Sequence, residues 1–302
     1  MKNCLIWGIS DEYTAHINQI NFEVLKGNIN ILAMISKDKF SSYIDGKKII
    51  GKEDIIQYQY DYIIIFNKVR FQEIKDEAMK LGVPDKKIMN GSIFHIPNFD
   101  FLKYTSLIEN PKTIISDDCF AAYIYHYLNL EFASPFILFY FEDKDYIKLL
   151  QNMDYYLEQE LSREQDSDIL TNRMPIGSLG NKQDKILLYF NHYHTFEQAK
   201  DAWERRLKRI NSKNIFVKMT IPNDDIAMQF HELPYENKVG FYHKQFKGDS
   251  IKCLPRYTWR IKEKPNIYGY DFRAYVRNMT HLVESCDVFK MLNNEKDFMR
   301  EI

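Results

Sequence analysis

The sequence predicts an α/β protein that consists of two three-layer domains, each built on a mainly parallel sheet. Three observations support this prediction. Short apolar runs that suit buried strands alternate with amphipathic stretches that suit helices. The alternation stops at a proline-containing stretch and then starts again. A chain of 302 residues, 45% of them hydrophobic, is also long enough to form two cores.

The first domain is predicted over residues 1–104. Its elements follow in the order strand, helix, strand, strand, helix, which is typical of a small Rossmann-like domain. The last strand contains three consecutive isoleucines and suits a strand that is covered on both faces. The five elements are Asn3–Ile9, Tyr13–Leu25, Ile29–Ile35, Asp61–Asn67 and Phe71–Leu81.

The second domain is predicted over residues 105–302, after a connector at Phe94–Asn110. The alternation here predicts a second, larger sheet that is mainly parallel, with helices on its faces. Strands are predicted at Thr113–Ser116, Phe136–Phe141, Lys185–Phe190, Asn214–Met219 and Val239–Phe246. Helices are predicted at Cys119–Leu128, Lys144–Leu161, Phe196–Ile210 and Asp225–Leu233.

The composition limits the classes of partner. The chain has 41 Lys and Arg against 42 Asp and Glu, and this balance predicts no binding to nucleic acid. The four cysteines form no CxxC pair, which argues against a zinc ribbon and favours a reducing compartment. No run approaches the about 20 apolar residues of a membrane helix. We therefore expect a cytoplasmic protein without a transmembrane segment.

The turn after the first strand is a candidate nucleotide-binding site. A Rossmann fingerprint has several glycines there, so that the backbone can approach a pyrophosphate at a helix N-terminus. Here only Gly8 is present, and Asp11 and Glu12 would repel phosphate. Asp38, just past the second strand, is placed to bind a ribose hydroxyl. Gly8 and Asp38 are the candidate cofactor-binding residues, although a purely structural domain is favoured and the cofactor stays unknown.

Two adjacent aspartates, Asp117 and Asp118, follow the predicted strand Thr113–Ser116. The carboxyl ends of strands are where open α/β sheets bind ligands. Aspartate is also a preferred helix N-cap and stabilises a helix start by about 1 kcal/mol. We predict that one aspartate caps the next helix and that the other belongs to a site. Asp118 is the candidate catalytic carboxylate, and Asp117 is a candidate for substrate binding.

The stretch Asn172–Gly180 (NRMPIGSLG) predicts a tight loop before the strand Lys185–Phe190. Such a loop can shape a pocket, and Gly177 is then a candidate for substrate contact. A loop that merely connects two elements explains the pattern equally well.

The strand Lys185–Phe190 is followed by Asn191-His192-Tyr193-His194. If that strand is parallel to its neighbours, these residues lie at its carboxyl end, and alternation points both histidines to one side. His192 is the candidate general base, and Tyr193 is a candidate for substrate binding. No further metal ligands follow nearby, so a metal site is not predicted.

The helix that follows carries a basic group beside a core stripe. Phe196, Ala199 and Trp203 lie at helical spacing and predict a buried face. Three arginines lie off that stripe near the helix C-terminus, where cations stabilise the helix dipole. Arginine is also favoured for bidentate contact with phosphate or carboxylate. The candidates for anion or substrate binding are therefore Arg205, Arg206 and Arg209.

The second half of the chain resembles a bacterial family of exopolysaccharide biosynthesis proteins, often encoded among capsule genes. The resemblance rests on the segments SDDCFAAYIYHYLNLEFASPF (Ser116–Phe136), MPIGSLGNKQDKILLYFNHYHTFEQAKDAWERRLKRINSKNIFV (Met174–Val217) and LPYENKVGF (Leu233–Phe241). The first part of the chain is similar to the small Rossmann-like domains of surface-sugar-modifying enzymes. The resemblance implies a pathway and no settled reaction.

Two functions follow as expectations. The first is a sugar-directed transferase of exopolysaccharide or capsule assembly that moves a glycosyl, acyl or phosphosugar group, with a sugar or nucleotide-sugar substrate. The second is a non-catalytic protein of the same pathway that binds a sugar or nucleotide sugar, or holds other polysaccharide-assembly proteins. A deep cleft lined by His192 and Asp118 would favour the enzyme. Burial or separation of these side chains, with an exposed aromatic patch instead, would favour the second function.

Overall fold

The computed structural model describes residues 1–36, 42–164, 174–254 and 272–300. The chain divides into two compact units, Met1–Glu109 and Asn110–Ile302, called unit 1 and unit 2 below. Each unit has its own hydrophobic core. The predicted boundary at 104/105 falls inside the last helix of unit 1.

Unit 1 is built on a six-stranded sheet. Its strands are β1 (Lys2–Trp7), β2 (Ile29–Ile35), β3 (Tyr43–Ile44), β4 (Lys47–Ile50), β5 (Tyr62–Ile65) and β6 (Ile88–Asn90). They lie in the order β3-β4-β2-β1-β5-β6. All neighbours pair in parallel except β3, which pairs antiparallel with β4 at one edge.

Helices cover both faces of this sheet. They are α1 (Asp11–Leu25), α2 (Phe71–Lys80) and α3 (Phe101–Glu109). Alternate residues of β5 point to opposite faces. Ile63 packs in one core cluster with Ile74 of α2, whereas the ring of Tyr62 meets Phe101 of α3 at 6.1 Å. Unit 1 therefore has the three layers that the sequence predicts.

The part of unit 2 that the structure describes forms two separate sheets. Its strands are β7 (Thr113–Ser116), β8 (Ser162–Arg163), β9 (Ile176–Leu179), β10 (Ile186–Tyr189), β11 (Ile215–Thr220), β12 (Lys238–Tyr242) and β13 (Ile251–Cys253). Four form a parallel sheet in the order β13-β12-β11-β7. The other three form an antiparallel sheet in the order β10-β9-β8.

The parallel sheet of unit 2 is also covered on both faces. The helices within its described residues are α4 (Phe120–Tyr127), α5 (Asp143–Gln151), α6 (Met153–Leu157), α7 (Phe196–Leu207), α8 (Asp224–Glu232), α9 (Phe272–Arg277), α10 (Met279–Ser285) and α11 (Val288–Leu292). Val217 of β11 packs in the main core cluster with Leu149 of α5 and Phe230 of α8. Lys218 points to the other face, where its Nζ lies 5.0 Å from the ring centre of Phe120 in α4.

The fold class is confirmed as α/β with mainly parallel sheets, but several elements differ from prediction. The expected second sheet was larger than the first, whereas the parallel sheet of unit 2 has four described strands and the sheet of unit 1 has six. The predicted connector Phe94–Asn110 contains α3, whose Phe101 and Leu107 are buried in unit 1. The prolines of that stretch suggested an irregular connector, but its apolar residues form the buried face of a helix.

Two elements of unit 2 were predicted wrongly. Phe136–Phe141 is buried but is no strand, because Leu138 has a positive φ of 66° and only Tyr140 makes a bridge. The predicted helix Lys144–Leu161 is two helices, α5 and α6, broken at Asn152 with φ -144° and ψ 51°. Burial of an apolar run does not reveal its backbone conformation, so the sequence pattern could not detect either break.

Candidate functional site

A buried cluster of charged residues lies at the carboxyl edge of the parallel sheet in unit 2. Asp117 and Asp118 directly follow β7, and Lys218 lies in the neighbouring strand β11, next to Ser116 in the parallel register. The side chains of Lys218 and Asp117 are both 0% exposed, and that of Asp118 is 1% exposed. Adjacent parallel strands thus bring the three charged groups together.

Lys218 binds both carboxylates. Its Nζ lies 2.9 Å from Oδ1 of Asp117 and 3.1 Å from Oδ1 of Asp118, and it donates to Oγ1 of Thr220 at 2.6 Å. The backbone N–H of Thr220 donates to Oδ2 of Asp117 at 3.1 Å. The three donors of the ammonium group therefore each have an acceptor.

Two arginines of α9 connect this cluster to the surface. Arg273 donates to Oδ2 of Asp117 at 3.2 Å and pairs with Asp143 at the start of α5. Arg277 lies one helical turn later, with Nε 3.9 Å from Oδ2 of Asp118. The side chains of Arg273 and Arg277 are 24% and 30% exposed. Positive charge therefore lies between the sealed carboxylates and solvent.

Burial is the main electrostatic influence on Asp117. Removal from water raises the pKa of Asp117 to about 6, and the nearby Asp118 carboxylate acts in the same direction. Lys218 and Arg273 oppose this rise in pKa, because positive neighbours favour the ionised carboxyl group. A carboxyl group with a pKa close to neutrality is suited to proton transfer.

Asp118 also organises the start of α4. Its Oδ1 accepts from the N–H of Phe120 at 3.0 Å, and its carbonyl accepts from the hydroxyl of Ser116 at 2.6 Å. Its Oδ2 is buried and has no hydrogen-bond partner within the described residues. Because a buried acceptor without a donor is costly, this oxygen is a position at which a ligand hydroxyl could bind.

The backbone beneath the cluster is held by Tyr146. Its hydroxyl lies 3.0 Å from the carbonyl oxygen of Ile115 and 2.9 Å from that of Lys218, so it bridges β7 and β11. Tyr146 is completely buried in α5. The charged groups are therefore fixed by a rigid support, as a preorganised site requires.

Sequence reasoning found the two aspartates but missed their partners. The one sequence signal for a role of Lys218 was the presence of a charged residue inside the apolar run NIFVKM. Arg273 and Arg277 lie on a helix far along the chain, and no local pattern connects them with Asp117. Their proximity depends on the tertiary fold.

The predicted strand before His192 is present as β10, but the placement of the histidines assumed that this strand is parallel, and that assumption is wrong. β10 pairs antiparallel with β9, in a different sheet from Asp118. His192 and His194 are exposed and lie in the turns between β10 and α7, so strand alternation does not apply to them. The structure therefore does not bring His192 and Asp118 together on one sheet edge.

The arginines of α7 have different surroundings. Arg206 is buried, donates to the hydroxyl of Tyr193 at 2.7 Å and lies 5.2 Å from the ring centre of Phe132. Arg209 pairs with Glu131 at 2.7 Å, whereas Arg205 is exposed. Arg206 and Tyr193 thus bind each other and hold α7 against the segment that follows α4.

The predicted loop at Asn172–Gly180 is mostly a strand where it is described. Gly177 lies in β9, and a Cβ atom there would come within 2.8 Å of Leu161 and 2.9 Å of Phe190. The absence of a side chain at this position serves packing of the antiparallel sheet on the core. Residues 172 and 173 lie outside the described residues.

In unit 1, Gly8 permits a close approach between two strand ends. It has a φ of 101°, and a Cβ atom would lie 2.8 Å from the carbonyl oxygen of Phe66. That oxygen also accepts from the hydroxyl of Ser10 at 2.8 Å. Gly8 therefore has a sufficient structural explanation, and Asp38 lies outside the described residues.

The described ranges contain no group of three or more His, Cys, Asp or Glu side chains arranged to hold a metal ion. None of their helices is both long enough and apolar enough to cross a membrane.

Comparison with known proteins places the chain in a family. The model of a domain of unknown function, DUF1919, matches residues 90–284. The chain belongs to this family. A second model, of the C2185-like N-terminal domain, matches residues 1–89. An uncharacterized protein of Haemophilus influenzae is 36% identical over 192 residues, which cover 62% of this chain and 87% of that protein.

The DUF1919 match and the packing divide the chain at different points. Residues 90–109 belong to the matched region, yet they pack in unit 1. The candidate cluster around Lys218 lies within the matched region, so the site belongs to the family domain. These comparisons state no activity, and a function therefore has to be inferred from the site.

Proposed function

We propose that this protein is a cytoplasmic sugar-directed transferase of exopolysaccharide or capsule assembly, and that its reaction takes place at the carboxyl edge of β7 and β11. The observation that supports this proposal is the buried cluster of Asp117, Asp118 and Lys218, extended to the surface by Arg273. The sequence resemblance described above supports the pathway.

The cluster is difficult to explain by stability alone. Transfer of charges from water into a protein interior costs several kcal/mol per ion, and well-packed apolar residues are often equally stable or better. Ionisable groups with a shifted pKa at the carboxyl edge of a parallel sheet are typical of functional sites. Asp117, with its raised pKa, and Oδ2 of Asp118, which accepts no hydrogen bond from the described residues, both lie at this edge.

Each charged group has a role in the proposed reaction. Arg273 and Arg277 bind the anionic part of an activated sugar donor, because a guanidinium group suits bidentate contact with phosphate. The hydroxyl of the acceptor transfers its proton to Oδ2 of Asp118, and its oxygen forms the new bond to the donor. The leaving group departs with its electron pair beside the arginines. Lys218 and Asp117 position Asp118.

This scheme assigns no role to His192, which lies on an exposed turn after β10 of the antiparallel sheet. Access of substrate to Asp118 requires a local rearrangement, since the carboxylate is only 1% exposed, and in this scheme Arg277 is the side chain that moves. Arg277 is held there by a 3.9 Å ion pair, which a competing donor phosphate can replace.

A second candidate function is supported by the same burial. Asp117 and Asp118 are sealed inside a network of hydrogen bonds and ion pairs, and such burial is expected of a non-catalytic protein that binds a sugar or a nucleotide sugar. In that case the arginines bind ligand while the carboxylates only hold the arginines in place.

The two functions are separated by measuring binding and turnover together. The full chain is screened by thermal shift against nucleotide sugars, free nucleotides and acyl-CoA donors, because a ligand that binds the native state raises the melting temperature. Product formation with each hit and a mixture of sugar acceptors is then followed by mass spectrometry. The transferase predicts a stabilising donor and a product.

Two variants and a control sharpen the result. Arg277→Gln should weaken donor binding, and Asp118→Asn should keep donor binding but lower turnover at least 100-fold, as loss of a general base does. Lys213→Gln, at an exposed position, should change neither. Donor binding without product in the wild type would favour the non-catalytic function. Unchanged turnover in Asp118→Asn would exclude the proposed base.

A further inference from the structure

Two tyrosines of unit 2 stack on each other beside the charged cluster. Tyr140 and Tyr189 form an isolated antiparallel bridge, with N–H to carbonyl distances of 3.1 and 3.0 Å. Their ring centres are 4.9 Å apart, and the ring planes differ by only 9°. The bridge therefore fixes both rings in one orientation.

Both rings point away from the hydrophobic core of unit 2. Tyr140 and Tyr189 are each part-exposed. The residues on either side of them are all buried, namely Phe139, Phe141, Leu188 and Phe190. Because successive side chains of extended backbone point to opposite sides, burial of these neighbours directs the tyrosines outward.

The stacked pair is connected to the proposed reaction site by a short stretch of chain. The N–H of Phe141 donates to the carbonyl oxygen of Asp117 at 3.0 Å. Two residues further along, Asp143 pairs with Arg273, which also binds Asp117. The tyrosines and the buried carboxylates thus share one edge of unit 2.

The charges near the stacked pair disfavour an anionic ligand. Glu142 is exposed, and Asp143 and Asp145 are part-exposed, so these three carboxylates outnumber the exposed Lys144 among them. Arg273 is already paired with two aspartates. Burial raises the pKa of both tyrosines, and Glu142 acts in the same direction, so the phenols are neutral donors at physiological pH. Carboxylates and neutral phenols suit a ligand that is rich in hydroxyl groups.

We propose that Tyr140 and Tyr189 form a binding platform for an uncharged sugar ring. The apolar face of the ring packs on the aromatic surface, and Glu142 and Asp143 accept hydrogen bonds from its hydroxyls. If the proposed function holds, this ring is the acceptor, because the anionic donor occupies the arginine side. The platform itself does not depend on that reaction.

The test is saturation-transfer NMR with the full chain and uncharged methyl glycosides of hexoses and N-acetylhexosamines, with uridine and guanosine as competing ring types. Wild-type protein should saturate the C–H protons of one face of a glycoside most strongly. Tyr189→Leu keeps the backbone bridge but removes the ring, and it should weaken glycoside binding about tenfold. Tyr155→Leu replaces another part-buried tyrosine and should leave binding unchanged.

The outcomes are distinct. No glycoside binding, uniform saturation of both ring faces, or equal affinity in Tyr189→Leu would overturn the platform. Nucleoside binding that is lost in Tyr189→Leu would also overturn it, because the rings would then bind a base. If Tyr189→Leu does not fold, the wild-type saturation pattern still decides. Glycoside binding without turnover of any nucleotide-sugar or acyl-CoA donor would keep the platform and reject the transferase.

Discussion

Lys218 is the single residue on which the buried cluster depends. Its ammonium group is the only charge within hydrogen-bond distance of both Asp117 and Asp118 among the described residues. All three side chains are sealed from water. If the lysine is removed, two adjacent carboxylates lose their shared counter-ion in a medium that solvates them poorly.

We therefore expect Lys218→Met to lower the free energy of unfolding by about 3–5 kcal/mol, the usual cost of breaking a buried ion pair. Urea denaturation followed by circular dichroism measures this change. Lys213→Met, at an exposed position in the turn before β11, should change stability by less than about 0.5 kcal/mol. Equal stability of the two variants would show that the cluster is not held by Lys218.

At the scale of elements, α7 shows that an arginine can have a structural role without binding a ligand. The sequence suggested anion binding by Arg206, but its guanidinium group donates to Tyr193 and packs over Phe132. Arg205, the adjacent residue, is exposed. Two adjacent arginines of this helix therefore have opposite surroundings. Substituting each of them in turn distinguishes a role in packing from a role in binding.

Arg206→Met should destabilise the protein by about 2 kcal/mol, because it removes a charge-assisted hydrogen bond and leaves the Tyr193 hydroxyl without that donor. Arg205→Met should have an effect within about 0.5 kcal/mol. Both are measured by urea denaturation, together with Tyr193→Phe and the double variant. Additive effects of Arg206→Met and Tyr193→Phe would show that the two side chains are not coupled.

The elements that sequence could predict are those with a complete local pattern. The stripe of Phe196, Ala199 and Trp203 defines α7, and the isoleucine run of β5 defines a strand covered on both faces. The run Phe136–Phe141 has the same apolar character, but a positive φ at Leu138 interrupts it. Apolar patterning reports burial, and the backbone conformation of a short buried run depends on its tertiary partners.

The sequence likewise predicted only part of the candidate site. A pair of aspartates after a strand is a local signal, and it correctly located the edge of the sheet. The partners Lys218 and Arg273 come from β11 and α9, about 100 and 156 positions away from Asp117. The parallel pairing of β7 with β11 brings Lys218 to the aspartates, and the packing of α9 brings Arg273. Neither tertiary contact can be detected in the sequence near Asp117.

At the scale of the whole molecule, the end of unit 1 as defined by packing differs from the end of the first matched region. The region matched by the C2185-like model ends at residue 89, whereas unit 1 extends to Glu109. The twenty intervening residues contribute Phe94, Phe99 and Phe101, which are buried and form one aromatic group. Phe94 also meets Phe66, at the end of β5, at 5.8 Å.

This difference predicts how the chain can be divided. Residues 1–109 expressed alone should unfold cooperatively in urea, because both faces of the six-stranded sheet stay covered. Residues 1–89 should not, because the loss of three buried phenylalanines exposes one face, and each buried aromatic side chain contributes about 3 kcal/mol or more. A cooperative transition for residues 1–89 would show that the sheet and α2 suffice. Residues 110–302, which contain the whole main core cluster of unit 2, should unfold cooperatively and keep any binding of glycosides.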